Sequence, residues 1–220
     1  SSGMRHFLSH RKGAGLKLSS LAEVNQYCFF VAGLVGEALT QLVASVEPRF
    51  PLNVASLLRA HHFGLFLQKV NILKDQIKDE EKGRWLIPSR EQVEASARSD
   101  AREALDFLCS IPREQVEFRQ FCAWSLFLGL ETLVVARMSF LKRVFLKVTR
   151  TRTQKLLRQV DAIITDNQLL KDFFFEQTKR LNWEFTHAVP SVVGHSPEWL
   201  AGIYRGKLDR KSLVRLGISQ

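Results

Sequence analysis

At 220 residues and 45% apolar content, with 16 phenylalanines against 2 tyrosines, the chain suits one domain with a real core. A formal net charge of +10 favours anionic partners: diphosphates, an acidic membrane surface or nucleic acid. No zinc-finger, RNP or other nucleic-acid motif accompanies that charge, so nucleic acid is the weakest of the three and is not expected, and the 3 cysteines show no CxxC or Cys/His spacing for zinc.

Ser1 to Gly3 read either as a leftover stretch ahead of Met4 or as the first residues of the domain itself. Residues 10–15 form a basic loop whose Gly13 and Gly15 are too sparse for a phosphate-binding motif. Ser19 or Ser20 can then cap a helix running to about residue 45, with Glu23 placed to complete a capping box with Ser20. Tyr27, Val31, Leu34 and Ala38 share one face of it. Gly33 and Gly36 are poor helix formers, so their use is close approach of another helix or of a ligand, and ordinary packing explains them equally. By itself Tyr27 can simply hydrogen-bond in the core.

Pro48 and Pro51 close the next loop, and a helix is expected over residues 53–81. On a helical wheel Gly64, Gln68, Asn71, Asp75 and Asp79 fall in a stripe roughly 80° wide. Leu65, Leu67, Val70, Ile72, Leu73 and Ile77 cover much of the remainder. A helix apolar round most of its girth is buried. Its amides and carboxylates then need a cation or a wet cavity. Asp75 and Asp79 leave one face a turn apart and repel each other. A hard divalent cation such as Mg²⁺ reverses that repulsion. The bland alternative is a solvated acidic helix end, since Glu80 and Glu81 come next. His61 lies on the same stripe and reads as a satisfied core or rim residue. Arg84 can pair a diphosphate bidentately or form a surface ion pair with Glu80 or Glu81.

Ser89 with Gln92 resembles another capping box, opening a polar amphipathic helix to about residue 109. Ile111-Pro112 breaks the chain and starts a helix to about residue 138, with Phe118, Phe121 and Ser125 near one face. Its apolar run, residues 121–136, is interrupted by Glu131 and Thr132 and is short for a membrane span, so it reads as a buried core helix. Arg150, Arg152 and Lys155 open a long helix to about residue 181, on residues alone a solvated basic start. Asp172 and Glu176, also four apart, read as surface charges. From residue 182 the pattern dissolves into a peripheral tail, leaving residues 1–181 as the helical domain. There is no repeat and no sustained strand alternation. The expected class is all-α, with helices packed around a central cavity. Three buried free thiols and no signal peptide point to the cytoplasm, with peripheral contact to an acidic membrane surface.

Two stretches carry a resemblance. GLFLQKVNILKDQIKDEEKGRWLIP is similar to the second aspartate-rich region of the squalene/phytoene synthase family, in the form of its squalene branch. YCFFVAGLVGEAL resembles the family's tyrosine motif, in the right order and at a fitting separation. Weaker similarity runs through RQFCAWSLFLGLETL and VFLKVTRTRTQKLL, so that roughly residues 3–181 resemble the later part of the fold.

The resemblance implies an isoprenoid-synthase helical bundle without its N-terminal helices. It implies head-to-head condensation of two farnesyl diphosphates through presqualene diphosphate, then NADPH reduction to squalene. Asp75 and Asp79 would hold Mg²⁺, and Gln68, Asn71 and Arg84 would meet the diphosphate. Tyr27 would line the cavity and take part in proton transfer, and Phe121 would face the carbocation. Arg150 and Arg152 would lie at the NADPH phosphates. Ser125-Leu126 stands where the family usually has Pro-Gln, which bears on product choice and keeps a phytoene or dehydrosqualene synthase-like enzyme as an alternative. The family's first acidic motif has no counterpart here. An upstream segment or another chain would complete the site, or the protein binds isoprenoid diphosphates as a scaffold without chemistry. The polar, basic end does not match the hydrophobic anchor of eukaryotic relatives, so permanent anchoring is not expected.

Overall fold

The computed structural model describes residues 15–50, 52–183 and 185. Among them the chain is all-α: α1 (Leu21–Cys28), a π-helical segment (Phe29–Gly33), α2 (Leu34–Val46), α3 (Val54–Glu81), α4 (Arg90–Ser110), α5 (Val116–Lys142), α6 (Arg150–Asp161) and α7 (Asn167–Lys179). The only bridge of strand type among these residues is isolated, between Lys17 and Trp85.

Helix α3 is the axis of the fold. It packs against α2, α4, α5 and the π segment. Its start is closed by a reciprocal box. Asn53 Oδ1 accepts the Ser56 N–H at 3.0 Å, and the Ser56 hydroxyl accepts the Asn53 N–H at 2.9 Å. Such a cap is worth about 1 kcal/mol. Its end is set by Gly83 at φ +71°, in the left-handed region that terminates helices cheaply at glycine. Phe66, Ile72 and Leu73 are buried on it, as an apolar girth requires.

Two glycines let α2 and the π segment lie on α3. A Cβ at Gly36 would stand 2.2 Å from the Ala60 carbonyl oxygen, and one at Gly64 2.4 Å from that of Ala32. Close helix approach is therefore the use of Gly36. Gly33 is buried, and a Cβ there would stand 2.9 Å from the Phe29 ring.

Three helix boundaries differ from expectation. The first helix is not continuous: the π turn at Phe29–Gly33 inserts a residue and rotates the register of α2 by about 100° relative to α1. The helix expected from Pro112 begins at Val116 and continues to Lys142, where Arg143 at φ 51° ends it. The helix expected over 150–181 is two. Asp166 accepts the N–H groups of Gln168 and Leu169 at 2.7 and 3.0 Å, and this cap competes with helix continuation. The capping box at Ser20 is partly shifted: Ser20 Oγ accepts the Glu23 N–H at 3.2 Å, but Glu23 takes the N–H of Ser19, at 2.7 Å. Most of the expected basic loop at 10–15, and the expected tail beyond residue 185, lie outside the described residues. Trp183 is buried, and Phe185 rests on Phe174 and Phe175.

Buried charge organises the remaining helices. Arg119 is fully buried and donates to the carbonyls of Ile164, Ile111 and Leu108 and to Asn167 Oδ1. It thereby ties the start of α5 to the end of α4 and to the α6–α7 turn. Lys69 of α3 is also fully buried; it pairs with Asp100 of α4 and donates to Ser96 at 2.7 Å, while His62 meets the other Asp100 oxygen at 2.8 Å. The helical segments Leu21–Val46 and Val116–Lys142 are long and apolar enough to cross a membrane by length and composition.

Candidate functional site

The acidic stripe of α3 faces two different surroundings. Asp79 is buried, and Arg84 reaches back across the helix end to place Nη2 2.5 Å from its Oδ1. The Arg84 backbone N–H also donates to the Asp79 carbonyl at 2.8 Å, so the Gly83 turn delivers both contacts. Burial pushes the Asp79 carboxyl above its ordinary value against the pull of Arg84, and Asp75 adds to the rise. Asp75 is half-buried and lies 3.3 Å from Lys74 Nζ.

Tyr27 belongs to the same cluster. Burial raises its phenol, Cys28 adds to the rise, Arg84 opposes it and Asp79 reinforces it, so the ring lies within electrostatic reach of both ends of the ion pair. At neutral pH the phenol keeps its proton. Gln68 is half-buried about three turns up α3 from Asp79, and Asn71 is exposed, 3.5 Å from Lys74 Nζ.

Beside Asp75 a cleft of about 380 Å³ opens between α3, α5 and the segment before α6. Lys74, Asp75, Lys78, Phe145 and Lys147 line it, with Thr132 and Val135 as its α5 wall. Lys78 stands 3.4 Å above the Phe145 ring, a cation–π contact. Three lysines around one carboxylate make this cleft an anion site as much as a cation site. The sequence alone does not announce it. Lys74 and Lys78, four apart on α3, are a visible signal, but Phe145 and Lys147 come from a loop that only the fold brings there.

Phe121 is not brought to this cluster. Its ring stacks on Phe118 at 6.4 Å and is 50% exposed. Thr132, at the cleft, lies eleven residues along α5, roughly 16 Å away by helical rise. Arg150 is exposed at the first turn of α6. Arg152 points inward and donates to Glu131 at 2.8 Å, sharing that carboxylate with Arg180. Burial would raise Glu131, but the two guanidiniums hold its carboxyl below the usual range. His61 is buried and meets Glu37 at 3.1 Å. Asp172 and Glu176 are exposed; Glu176 pairs with Lys179 at 3.5 Å.

Among the described residues no group of three or more His, Cys, Asp or Glu gathers around a possible metal position. The donors at hand are two carboxylates one turn apart. They fit Mg²⁺ as part of its shell, because that ion takes hard oxygens and completes itself with water and phosphate.

Sequence comparison finds relatives. The model of the family described as squalene/phytoene synthase matches residues 1–103, which include Tyr27, Gln68, Asn71, Asp75, Asp79 and Arg84. Over these residues the chain is similar to the squalene/phytoene synthase family. The squalene synthase of Bos taurus is 41% identical over 86 residues, 39% of this chain and 19% of that protein. That of Schizosaccharomyces pombe is 27% identical across 89% of this chain and 47% of its own. The chain thus spans less than half the length of these curated relatives. The solved structure of TcSQS in complex with the ligand BPH1237 matches with a TM-score of 0.65 and 25% identity, covering 84% of this chain and 59% of that one. The described fold is thus similar to a part of that squalene synthase structure.

Proposed function

We propose that the chain is the later portion of a squalene-synthase-type prenyltransferase, which joins two farnesyl diphosphates head to head through presqualene diphosphate and reduces the product with NADPH. One observation carries the reading: a buried Asp79, one turn from Asp75, sits in an ion pair with Arg84. The family match and the neighbouring squalene synthases support it.

An allylic C–O bond ionises only if the departing diphosphate is held by positive charge in a place closed to water. Mg²⁺, when bound, supplies part of that charge, and Asp75 and Asp79 would hold it. Arg84 has a buried Nε without a hydrogen-bond partner, free to take a diphosphate oxygen. Asn71 and Gln68 would orient diphosphate or water beside it. Tyr27 holds its proton at the phenol oxygen and can give it to a departing oxygen. Phe121, exposed and away from this cluster, would meet the prenyl chain rather than the allylic cation formed at the diphosphate end. Arg150 would meet NADPH phosphates, whereas Arg152 would first have to leave Glu131. The enzyme would work from the cytoplasm at an acidic membrane surface.

A second acidic motif, as the resemblance implies, would come from an upstream segment or another chain and face this pair across the diphosphate. The test is turnover. Combined with the portion of a squalene synthase that carries the other acidic motif, the chain should convert farnesyl diphosphate in the presence of Mg²⁺, and Asp75→Asn should abolish conversion. Equal turnover by parent and variant rejects the reading. Mg²⁺-dependent binding without any product would favour the scaffold alternative, which the single carboxylate pair also fits.

A further inference from the structure

Leu141, at the end of α5, is 79% exposed, more than any other large apolar side chain among the described residues. Met138 lies three residues back on the same face and is also exposed. Past the left-handed turn at Arg143 come Val144 and Phe145, both exposed. The Val144 N–H donates to the Ser139 carbonyl at 3.1 Å, and the Leu146 N–H to Ser139 Oγ at 3.0 Å, which folds this segment back onto the helix end. Single apolar residues are common on a protein surface, but four bare together at one helix end mark an interaction surface.

The charge of the same stretch selects the partner. Residues 132–160 hold eight lysines and arginines and no aspartate or glutamate. Arg137 pairs with Glu94, and Arg152 with Glu131. Lys142, Arg143, Lys147 and Arg150 are exposed, and none of them is in an ion pair among the described residues. Apolar side chains beside cations of a single sign match the boundary of an anionic bilayer, where the acyl region takes the first and the phosphates take the second. The long stems of lysine and arginine let both contacts form at once. A nucleic acid would satisfy the cations but leave Leu141 and Val144 against water.

We propose that the corner formed by Met138, Leu141, Val144 and Phe145, with Lys142, Arg143, Lys147 and Arg150 beside it, docks the chain on the anionic face of a lipid bilayer. It rests on the membrane contact in the reading above, and not on the metal pair. Phe145 and Lys147 also line the cleft beside Asp75. Docking therefore sets the rim of that cleft against the headgroups, the depth at which an amphiphile with a diphosphate head and a prenyl tail resides.

The experiment sediments the full chain with vesicles. The chain should bind vesicles of mixed phosphatidylserine and phosphatidylcholine, not those of phosphatidylcholine alone, and high salt should release it. Leu141→Asp, and Lys142→Glu combined with Arg143→Glu, should each weaken that binding by about tenfold or more. Leu42→Asp, an exposed apolar site on α2, and Asp75→Asn should leave it unchanged. Thermal melting of the corner variants at the parent's midpoint separates lost docking from lost folding. Hydrogen exchange of residues 138–147 should slow on the anionic vesicles. No binding to those vesicles, binding indifferent to the corner variants, or protection confined to other residues overturns the proposal. So does a dimer of the chain that Leu141→Asp dissolves, since a second copy would then cover the corner. Corner-dependent binding in a chain whose turnover ignores Asp75 upholds the docking while the metal reading falls. Turnover that needs Asp75, with binding indifferent to the corner, overturns the docking alone.

Discussion

Arg84 closes back on Asp79 through two contacts at once, guanidinium to carboxylate at 2.5 Å and backbone N–H to backbone carbonyl at 2.8 Å. The ion pair holds down a carboxyl that burial and Asp75 would otherwise raise further. Removing the cation with Arg84→Met should therefore move the midpoint of pH-dependent Mg²⁺ binding upward, because the metal needs the ionised form. Calorimetric Mg²⁺ titration of parent and variant across pH reads the shift. The sign for stability is the opposite. The folded Asp79 binds its proton more tightly than the unfolded chain does, so its contribution is fully present below the ordinary 3.8 and is lost as pH rises through the folded value.

Lys69 and Asp100 form a buried pair between α3 and α4. Lys69→Met leaves the carboxylate with His62 and Ser96 nearby but without its main counter-charge. Breaking such a pair from one side costs about 3–5 kcal/mol, to be measured by urea unfolding. Burial would raise the Asp100 carboxyl; Lys69 and His62 together hold it below its ordinary 3.8. Its stabilisation is therefore present above 3.8 and is lost as pH falls through the lower folded value, and Lys69→Met should weaken that acid dependence.

Gly36→Ala places a methyl 2.2 Å from the Ala60 carbonyl oxygen, where backbone must yield. Overpacking of this kind costs about 1–3 kcal/mol, read as a lower thermal midpoint. The same change at Gly83 is strained for a different reason, its φ of +71°.

The thiols should react in a set order. Burial pushes Cys28 up to about 12 and Cys122 higher still, whereas half-buried Cys109 rises less. A thiol reagent on the native protein should label Cys109 first, which peptide mass spectrometry reads.

The sequence carries the axis of the fold unusually well. Residues 53–81 can be read as one helix because Asn53 at one end and Gly83 at the other are explicit stop signals around a continuous apolar pattern. The pairing of Asp79 with Arg84 is not legible, since Glu80 and Glu81 are nearer in sequence and the choice depends on the left-handed turn at Gly83. Arg152 reads as a solvated basic residue, but its partner Glu131 lies on α5, and no local pattern announces a contact across that separation. The π turn escapes for a similar reason: FFVAG has ordinary helical letters, and the widened turn is a feature of the packed chain. The buried Lys69 sits between Gln68 and Val70 and looks like any helix lysine until Asp100 is placed opposite it.

The most direct measurement is calorimetric titration of the chain with farnesyl thiodiphosphate, with and without Mg²⁺. The account predicts saturable binding that requires Mg²⁺ and is lost in both Asp75→Asn and Asp79→Asn. Binding that ignores Mg²⁺, or that both variants keep at the strength of the parent, would contradict it.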